Sequence, residues 1–402
     1  MASSSSLLQP SSSPPGSNWV RTIGCVSTGR ADAGIYRPLL AALAAEKGWR
    51  VLCFAGGTHL DQGFGRTIQG FGGLARVEVM PVQHFVSGDG AVAVSATAGK
   101  ATEQFSLAFE KSKPDLVFVL GDRTEMLAAT LAAVIHRIPV AHLHGGDTTE
   151  GAYDNQCRDA ITKLSHLHFP ALREHGERIK AMGEEPWRVL AVGALALDAI
   201  REFMPKSVDQ LSKALRIAFG QAVVVVAYYP ETLSELSAEQ QIEEVLAAVE
   251  PLDVDILLIG PNADVGHEAV REALAALASN RPGTVLAPAL SQTRFWNVLT
   301  HAAVLVGNSS AGIIEAASFG LPVVNVGDRQ KGRVHARNVL DVPTQRDAIA
   351  AAVQQVLDPD FREGLAGVVN PYGDGCAAEQ IVAALLKLPD RPTLLRKRCS
   401  QQ

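Results

Sequence analysis

The chain alternates short apolar runs with longer stretches in which apolar residues recur every three or four positions. The short runs predict buried strands, and the longer stretches predict helices that pack on a sheet. Strands are predicted at residues 21–26, 51–55, 115–120, 139–143, 188–192, 222–227, 255–259, 303–306 and 322–326. Helices are predicted at residues 36–47, 92–110, 173–182, 238–249, 267–278 and 313–319. This alternation favours an α/β fold with two Rossmann-like domains that face a cleft.

Composition indicates where the domains begin and end. Residues 1–18 are mostly Ser, Pro, Gly and Ala and can bury little apolar surface, so we expect a disordered leader. We expect the first Rossmann-like domain at residues 19–195, the second at 206–374, and a C-terminal helix and tail at 375–402. The short stretch between the two domains, which ends near Pro205, is the expected linker.

Polar side chains follow two neighbouring strands of the predicted first sheet. Asp122 follows one strand and Asp147 the next, while Asp154 and Arg158 lie four residues apart at the start of a helix, on one face. The carboxyl ends of parallel strands share one edge, where ligands bind. Taken singly, Asp154 could cap its helix and Asp122 could brace a turn. The joint arrangement of carboxylates and arginines favours a functional site.

An anion site is predicted near the start of the first helix. Residues 27–34 read S-T-G-R-A-D-A-G, which lacks the G-x-G-x-x-G pattern of dinucleotide-binding loops. Arg30 beside a helix N-terminus suits a phosphate or another anion. Arg30 as a plain surface residue remains the alternative.

A second anion site is predicted in the second half of the chain. The sequence G-N-S-S-A-G at residues 307–312 places Ser309 and Ser310 at a helix start, where one of them could serve only as the N-cap. Glu315 lies deep enough in this helix to reach sugar hydroxyls. The sequence G-D-R-Q-K-G-R at residues 327–333 adds three cationic side chains, enough to hold a diphosphate.

Charge and hydropathy exclude two classes of partner. A net charge of -6 and an isoelectric point near 6.0 argue against a nucleic-acid surface. No apolar run approaches the roughly 20 residues that a membrane helix requires, and no secretory signal pattern precedes the first strand. We therefore expect a soluble, cytoplasmic protein that acts on a small molecule.

Cysteine and histidine spacing argues against a structural metal. The five cysteines lack C-x-x-C pairs, so we expect free thiols in a reducing compartment. Cys157 lies within the polar cluster, but the local sequence pattern contains no base that would activate its thiol. This argues against a nucleophilic role for Cys157. Four histidines alternate along predicted strands among apolar neighbours, which favours structural roles over zinc; they are His142, His144, His166 and His168.

Six motifs resemble, in order and spacing, those of the hydrolysing UDP-N-acetylglucosamine 2-epimerases of sialic-acid-type sugar synthesis. From about residue 21 to about residue 342 they are S-T-G-R-A-D, V-L-G-D-R-T-E, H-L-H-G-G-D-T-T-E-G-A-Y-D, R-D-A-I-T-K-L-S-H-L-H-F, I-G-P-N-A-D and G-N-S-S-A-G-I-I-E-A-A-S-F-G-L-P-V-V-N-V-G-D-R-Q-K-G-R. The resemblance implies a glycosyltransferase-B-like fold, with the nucleotide on the C-terminal domain. It also implies a UDP-sugar substrate and no metal or redox cofactor. We expect a homo-oligomer, either a dimer or a tetramer.

The resemblance also implies roles for individual residues. It implies that Asp122 and Asp154 transfer protons, and that Asp147, Glu150 or His144 is the third residue that takes part in proton transfer. The positions that match substrate contacts, or that lie at the same pockets, are Arg30, Arg123, His144, Arg158, Tyr229, Asn262, Ser309, Ser310, Glu315 and Arg329.

Three positions depart from the family pattern. His144 stands where some members have Glu, and Tyr229 stands where many have His. Ile35 stands where several members have Lys. These positions lie around the sugar and phosphates, so they bear on the identity of the sugar more than on the reaction type.

The implied reaction converts UDP-N-acetylglucosamine to N-acetylmannosamine and UDP by elimination and hydration. One alternative keeps this chemistry but acts on UDP-2,4-diacetamido-2,4,6-trideoxyglucose, also called UDP-diacetylbacillosamine, for legionaminic-type acids. An epimerase that retains the nucleotide is disfavoured by the motifs H-G-G-D-T-T-E-G and G-D-R-Q-K-G-R. A glycosyltransferase or a non-catalytic nucleotide-sugar binder remains open, because one fold supports several functions.

Overall fold

The computed structural model describes residues 19–262 and 264–398. The predicted leader and Cys399 lie outside these residues. Two parallel sheets of six strands form the framework. The first sheet contains β1 (Thr22–Ser27), β2 (Arg50–Gly56), β3 (Val77–Val82), β4 (Leu116–Leu120), β5 (Val140–Leu143) and β6 (Leu167–Phe169). The second contains β7 (Val223–Ala227), β8 (Asp255–Ile259), β9 (Thr284–Ala287), β10 (Val304–Gly307), β11 (Val323–Val326) and β12 (Val339–Val342).

Helices connect the strands and cover both sheets. Those of the first half are α1 (Arg30–Ala45), α2 (Ala91–Ser112), α3 (Thr124–Ile135), α4 (Asp154–Leu164), α5 (Arg173–Ala181), α6 (Leu195–Arg201) and α7 (Val208–Leu215). The remainder are α8 (Ala238–Val249), α9 (His267–Asn280), α10 (Gln292–His301), α11 (Ser310–Ile314), α12 (Arg346–Leu357), α13 (Pro359–Glu363), α14 (Ala377–Leu385) and α15 (Arg391–Leu395). Within the described residues, no helix combines the length and apolar character needed to cross a membrane.

Both sheets have the same strand order. The first runs β3-β2-β1-β4-β5-β6, and the second, read from β9, runs β9-β8-β7-β10-β11-β12. Each is therefore a doubly wound parallel sheet. The order in which the chain adds strands changes direction once, between β1 and β4 in the first sheet and between β7 and β10 in the second. Ligands of such sheets bind beyond the carboxyl ends of the strands at this point. The α/β fold with two Rossmann-like sheets is confirmed.

The strands are apolar because helices cover both faces of each sheet. β4 (L-V-F-V-L) and β7 (V-V-V-V-A) are buried at every position, as expected for central parallel strands. The C-terminal helix α14 returns to the first core, where Ile381 and Leu385 pack with residues of β1 and α1. The end of the chain therefore contributes to the core of the first half.

Several predicted boundaries were wrong for identifiable reasons. Helix α1 begins at Arg30, six residues before the predicted start, because Asp32 accepts backbone hydrogen bonds from Thr28 at 2.8 Å and Gly29 at 3.1 Å and caps the helix. The predicted helix at 313–319 starts at Ser310 and changes to a 3₁₀ turn after Glu315.

Other differences concern edge strands and the linker. The predicted strand at 188–192 is a 3₁₀ turn over Pro186–Arg188 followed by a single bridge between Val189 and His168. The predicted linker contains helix α6. Strands β3, β6, β9 and β12 were not predicted. β3, β9 and β12 alternate weakly and are only partly buried, and β6 is only three residues long.

Arg188 joins the first half to the C-terminal segment. Its guanidinium is 2% exposed and donates hydrogen bonds to the carbonyl oxygens of His166 at 3.1 Å, Leu394 at 2.8 Å, Thr393 at 3.3 Å and Arg396 at 3.2 Å. Arg188 also pairs with Glu185 at 2.7 Å. The carbonyl oxygens of His166 and Leu394 are buried and would lose this donor if the guanidinium were removed.

We therefore expect Arg188→Met to lower the free energy of unfolding by about 2–4 kcal/mol, since buried acceptors are left unpaired. Urea unfolding followed by circular dichroism measures this change. Arg173→Met is the matched control, because exposed Arg173 makes no hydrogen bond or ion pair to the described residues. Equal stability of the two variants would show that Arg188 does not anchor the C-terminal segment.

Candidate active site

The points at which the strand order of each sheet changes direction face each other across a cleft. Arg30 is the first residue of α1, directly after β1, and Asp122 follows β4. Tyr229 follows β7 and Ser309 follows β10 on the other side. The predicted residues that line the main cavity are Arg30, Asp122, Arg123, His144, Asp147, Arg158, Tyr229, Asn262, Ser309, Ser310, Glu315 and Arg329.

Asp154 lies beside the main cavity rather than in it. It lines a smaller cavity that shares Asp122, Arg123 and Arg329 with the larger one. Asp122 therefore lines both cavities, while Asp154 lines the smaller one. Glu150, one of the predicted third partners, is exposed and lines neither cavity.

Arg158 organises the polar loops of the first sheet. Its side chain is 2% exposed, forms an ion pair with Asp122, and donates to the Asp147 carbonyl oxygen at 3.1 Å. It also donates to Thr149 Oγ1 at 2.7 Å and Asn155 Oδ1 at 2.8 Å. The spacing of four residues places Arg158 one turn after Asp154 on α4, so one buried cation ties the ends of β4 and β5 to that helix.

Asp122 and Asp154 have opposite electrostatic environments. Burial raises the pKa of Asp122, but Arg158 and then Arg333, Arg329 and Arg123 outweigh it, so the pKa lies below its ordinary value. Burial, followed by the charge of Asp122, raises the pKa of Asp154 to about 7. Neighbouring carboxylates with separated pKa values can serve different roles at one pH.

Asp147 and His144 form a second buried group. Asp147 lies 3.4 Å from His175 Nε2 and 3.3 Å from Arg333 Nε. Burial raises the pKa of Asp147, but Arg333, His175 and Arg158 together hold it below its ordinary value. Burial lowers the pKa of His144 to about 4, so its imidazole is neutral at pH 7.

His144 has an unusual backbone conformation. Its φ of 59° lies in the left-handed region, which is uncommon for residues other than glycine. Its Nε2 atom is buried and has no hydrogen-bond partner among the described residues. Gly146 follows with φ of 75°, and a Cβ atom there would lie 2.3 Å from the His175 carbonyl oxygen. Strain of this kind is common at functional sites.

Cationic side chains from both sheets meet at the cleft. Arg123 Nη1 lies 3.8 Å from Asp264 of the second half. The Arg329 guanidinium lies 5.2 Å from the centre of the Tyr229 ring and donates to the Asn308 carbonyl oxygen at 3.2 Å. A polyanion in the cleft would therefore contact cations from both sheets.

Arg333 was not among the predicted site residues. It belongs to the cationic segment at residues 327–333, yet it crosses the cleft to Asp147 and donates to the Thr148 carbonyl oxygen at 2.7 Å. The cationic residues at 327–333 predicted an anion site in this segment. Only the folded structure shows which of its arginines reaches the first sheet.

The second sheet supplies a hydroxyl and a buried carboxyl. Ser309 Oγ accepts a hydrogen bond from the Ala311 N–H at 3.4 Å and caps α11. Ser310 is exposed, and its hydroxyl has no hydrogen-bond partner within the described chain. Glu315 Oε2 accepts from Trp296 Nε1 at 2.6 Å, and burial raises the pKa of this carboxyl to about 7. Ser309 is therefore the N-cap, and Ser310 remains available for a ligand.

Cys157, His142 and His168, for which the sequence argued against reactive or metal-binding roles, have the following environments. Burial, followed by Asp154, raises the pKa of Cys157 to about 11, which keeps its thiol protonated. His142 Nε2 lies 2.7 Å from the Gly121 carbonyl oxygen, and His168 Nε2 lies 3.1 Å from Glu184. The part of the chain that the structure describes contains no group of three or more His, Cys, Asp or Glu residues placed to hold a metal ion.

Comparisons with known proteins agree on one family. The family model for UDP-N-acetylglucosamine 2-epimerase matches residues 41–386. UDP-N,N'-diacetylbacillosamine 2-epimerase (hydrolyzing) of Legionella pneumophila is 33% identical over 386 residues, 94% of this chain and 99% of that protein. GDP/UDP-N,N'-diacetylbacillosamine 2-epimerase (hydrolyzing) of Campylobacter jejuni is 30% identical over 380 residues, 94% and 98% of the two chains.

A solved structure matches the fold. The UDP-GlcNAc 2-epimerase from Neisseria meningitidis bound to UDP-GlcNAc has a TM-score of 0.77, covers 91% of this chain and 100% of its own, and is 19% identical. At this identity the match supports the glycosyltransferase-B-like fold of the two sheets.

The environments of Asp154 and Asp122 predict opposite effects on stability. Because the folded state raises the pKa of Asp154 from 3.8 to about 7, folding takes up a proton between these values, and stability falls as the pH rises through them. Asp154→Asn removes this cost. We expect the free energy of unfolding of this variant to exceed that of wild type by about 1–3 kcal/mol at pH 8. The difference between the two proteins should disappear near pH 4.

Asp122→Asn is the matched control. It removes the negative charge that pairs with buried Arg158, so it should destabilise the protein at pH 8. Urea unfolding at both pH values measures the two variants. A destabilised Asp154→Asn at pH 8 would contradict the raised pKa of Asp154.

Proposed function

The chain belongs to the hydrolysing UDP-N-acetylglucosamine 2-epimerase family, and we propose that its substrate is UDP-N,N'-diacetylbacillosamine, which it converts to the free 2-epimeric sugar and UDP. The observation that carries this choice is the pair of relatives at 33% and 30% identity that match over nearly the full length of both chains and bear this activity in their names. UDP-N-acetylglucosamine is the second candidate, supported by the description of the family model.

The nucleotide fits the second-sheet side of the main cavity. Glu315 has one carboxylate oxygen bound to Trp296, which leaves the other for ribose hydroxyls. Ser310 and Arg329 lie where a diphosphate would follow, and Arg30 faces them from the first sheet. Arginine and hydroxyl donors of this kind bind phosphate oxygens.

The first step is loss of the C2 proton and of UDP. A base removes the C2 proton, the C1–O bond to UDP breaks, and a C1–C2 double bond forms to give a 2-acetamidoglycal. We assign the base to Asp154, because a carboxylate with a pKa near 7 is a stronger base than an ordinary one and is still about half ionised at pH 7. Arg123 and Arg329 stabilise the departing diphosphate.

The second step adds water across the double bond. The water oxygen bonds to C1, a proton adds to C2, and the free sugar is released. Inversion at C2 requires this proton to arrive from the face opposite Asp154. We assign that face to His144 and Asp147, which line the main cavity while Asp154 lines the smaller one. Because His144 is neutral and Asp147 is ionised at pH 7, these side chains orient a water molecule, which gives its proton to C2 and takes up the proton released by the water that adds to C1. Asp122 remains a carboxylate and stabilises positive charge that develops at C1 as UDP leaves.

We expect Glu315→Ala and Ser310→Ala each to weaken UDP binding by about 1–3 kcal/mol, up to about a hundredfold, because an acceptor for ribose and a donor to phosphate are lost. Isothermal titration calorimetry with UDP measures the affinity. Ser309→Ala is the control, since its hydroxyl caps α11, and it should change stability more than UDP affinity. Wild-type affinity in both test variants would exclude this cavity as the nucleotide site.

The acid-base assignment predicts the behaviour of two further variants. Asp154→Asn and Asp122→Asn should bind UDP but turn over at least about a hundredfold more slowly, because the first removes the base and the second removes the negative charge beside C1. In deuterated water, wild-type product should carry one deuteron at C2. Normal turnover of both variants would move the chemistry to Asp147 or His144, and product that keeps protium at C2 would contradict elimination.

Proton NMR of the purified protein with each UDP-sugar tests the substrate. We expect UDP release with formation of 2,4-diacetamido-2,4,6-trideoxymannose, and a lower kcat/KM with UDP-N-acetylglucosamine. A higher kcat/KM for UDP-N-acetylglucosamine, with N-acetylmannosamine as product, would favour the second candidate. A disaccharide formed on an added acceptor sugar would indicate a glycosyltransferase instead.

A further inference from the structure

The smaller cavity beside Asp154 has two chemically different walls. Its polar wall contains Glu125 at the start of α3 and Tyr153 just before α4. Its apolar wall contains Phe85, Val86 and Val94, which belong to the loop after β3 and to the first turn of α2. The cavity adjoins the main one, since Asp122, Arg123 and Arg329 line both.

The orientation of the proposed substrate leaves this cavity for the distal end of the sugar. Under the proposed function, the nucleotide lies near Glu315 and the diphosphate near Arg329. The C1 and C2 atoms then lie between Asp122 and Asp154. In a pyranose ring, C4 and the C5–C6 end lie across the ring from C1 and C2. These atoms therefore extend past Asp122 into the smaller cavity.

The polar wall offers one hydrogen-bond acceptor and one donor. Glu125 Oε2 accepts from Thr124 Oγ1 at 3.0 Å, while Oε1 has no donor among the described residues. The Tyr153 hydroxyl also has no partner in the described chain. Burial, followed by Asp154 and other nearby acids that include Glu125, raises the pKa of Tyr153, so the phenol keeps its proton and can donate. Both side chains line the same small cavity.

An acetamido group is complementary to this pair. Its N–H requires an acceptor and its carbonyl oxygen requires a donor, so Glu125 and Tyr153 can bind both ends of one amide. A single hydroxyl can use both partners only if they converge on one oxygen atom. A secondary amide bound between two otherwise unpaired groups gains two hydrogen bonds that a 4-hydroxyl sugar does not fully replace.

The apolar wall has no free polar side-chain group. Thr97 also lines the cavity, but its hydroxyl accepts from the Val86 N–H at 3.1 Å and donates to the Val86 carbonyl oxygen at 3.4 Å. These bonds fix the loop against α2 and use the one hydroxyl on this wall. A methyl group can pack here, whereas a hydroxymethyl group would lose hydrogen bonds to water without replacement.

We propose that Glu125 and Tyr153 bind the 4-acetamido group, and that Phe85, Val86 and Val94 bind the 6-methyl group, of a UDP-2,4-diacetamido-2,4,6-trideoxyhexose. This subsite rests on the proposed function and extends it, because it names the residues that select this sugar over UDP-N-acetylglucosamine. Asp122 and Asp154 perform the same chemistry on either sugar, so selection is separate from catalysis.

Steady-state kinetics with both UDP-sugars tests the polar wall. Tyr153→Phe and Glu125→Met should each lower kcat/KM for the diacetamido sugar about tenfold, the usual effect of one lost hydrogen bond. They should change kcat/KM for UDP-N-acetylglucosamine less than about threefold. Glu125→Gln keeps an amide oxygen as acceptor and should recover most of the activity. Equal losses with both sugars would overturn the proposal and place the shared 2-acetamido group here.

Two matched variants, one in the apolar wall and one on the surface, test the contact with the methyl group. Val94→Thr preserves shape and adds a hydroxyl, so it should lower the preference for the diacetamido sugar about threefold or more. Val92→Thr makes the same change on an 85% exposed position of α2 and should leave the preference unchanged. Identical preferences in these two variants would show that Val94 does not contact the sugar.

Calorimetry separates failure of the subsite from failure of the proposed function. In an Asp154→Asn background, we expect UDP-diacetylbacillosamine to bind more tightly than UDP, and Tyr153→Phe to reduce this difference about tenfold without changing UDP affinity. Such a result without wild-type turnover would contradict the proposed reaction but support the subsite. An unchanged difference would overturn the subsite even if the reaction is confirmed.

Discussion

The buried guanidinium of Arg158 is the interaction on which the site depends. It pairs with Asp122 and holds the Asp147 carbonyl oxygen, so it fixes the loops after β4 and β5 to helix α4. With the other arginines it keeps Asp122 ionised, and that negative charge adds to burial in raising the pKa of Asp154 to about 7. One cation therefore positions two carboxylates and gives them different acid-base properties.

The second half of the molecule completes this environment. Arg333 crosses the cleft to Asp147, and Arg123 of the first half faces Asp264 of the second. Asp89 accepts hydrogen bonds from the backbone N–H groups of Gly266 at 2.7 Å and Glu268 at 3.1 Å at the start of α9. These contacts bury the carboxylates between the two sheets. Burial strengthens the electrostatic interactions that separate their pKa values.

The α/β class, the central strands and the polar clusters could be predicted from sequence, because apolar runs and their polar ends are local patterns. The start of α1 at Arg30 and the turn at 188 depend on individual capping and long-range contacts, which local periodicity does not report. Asp122 and Asp154 could be identified as acids, but their different pKa values depend on arginines distant in sequence. The cavity that Glu125 and Tyr153 line requires five separate segments to meet.

The central claim is that the fold gives Asp154 a pKa near neutrality while Asp122 stays ionised. Carbon-13 NMR of aspartate-labelled protein measures it most directly, with Asp154→Asn and Asp122→Asn used to assign the two carboxyl signals. The structure predicts that the Asp154 signal titrates near pH 7 and that the Asp122 signal titrates below the ordinary range of aspartate. Titration of both carboxyls near pH 4, or a higher pKa for Asp122 than for Asp154, would contradict this account.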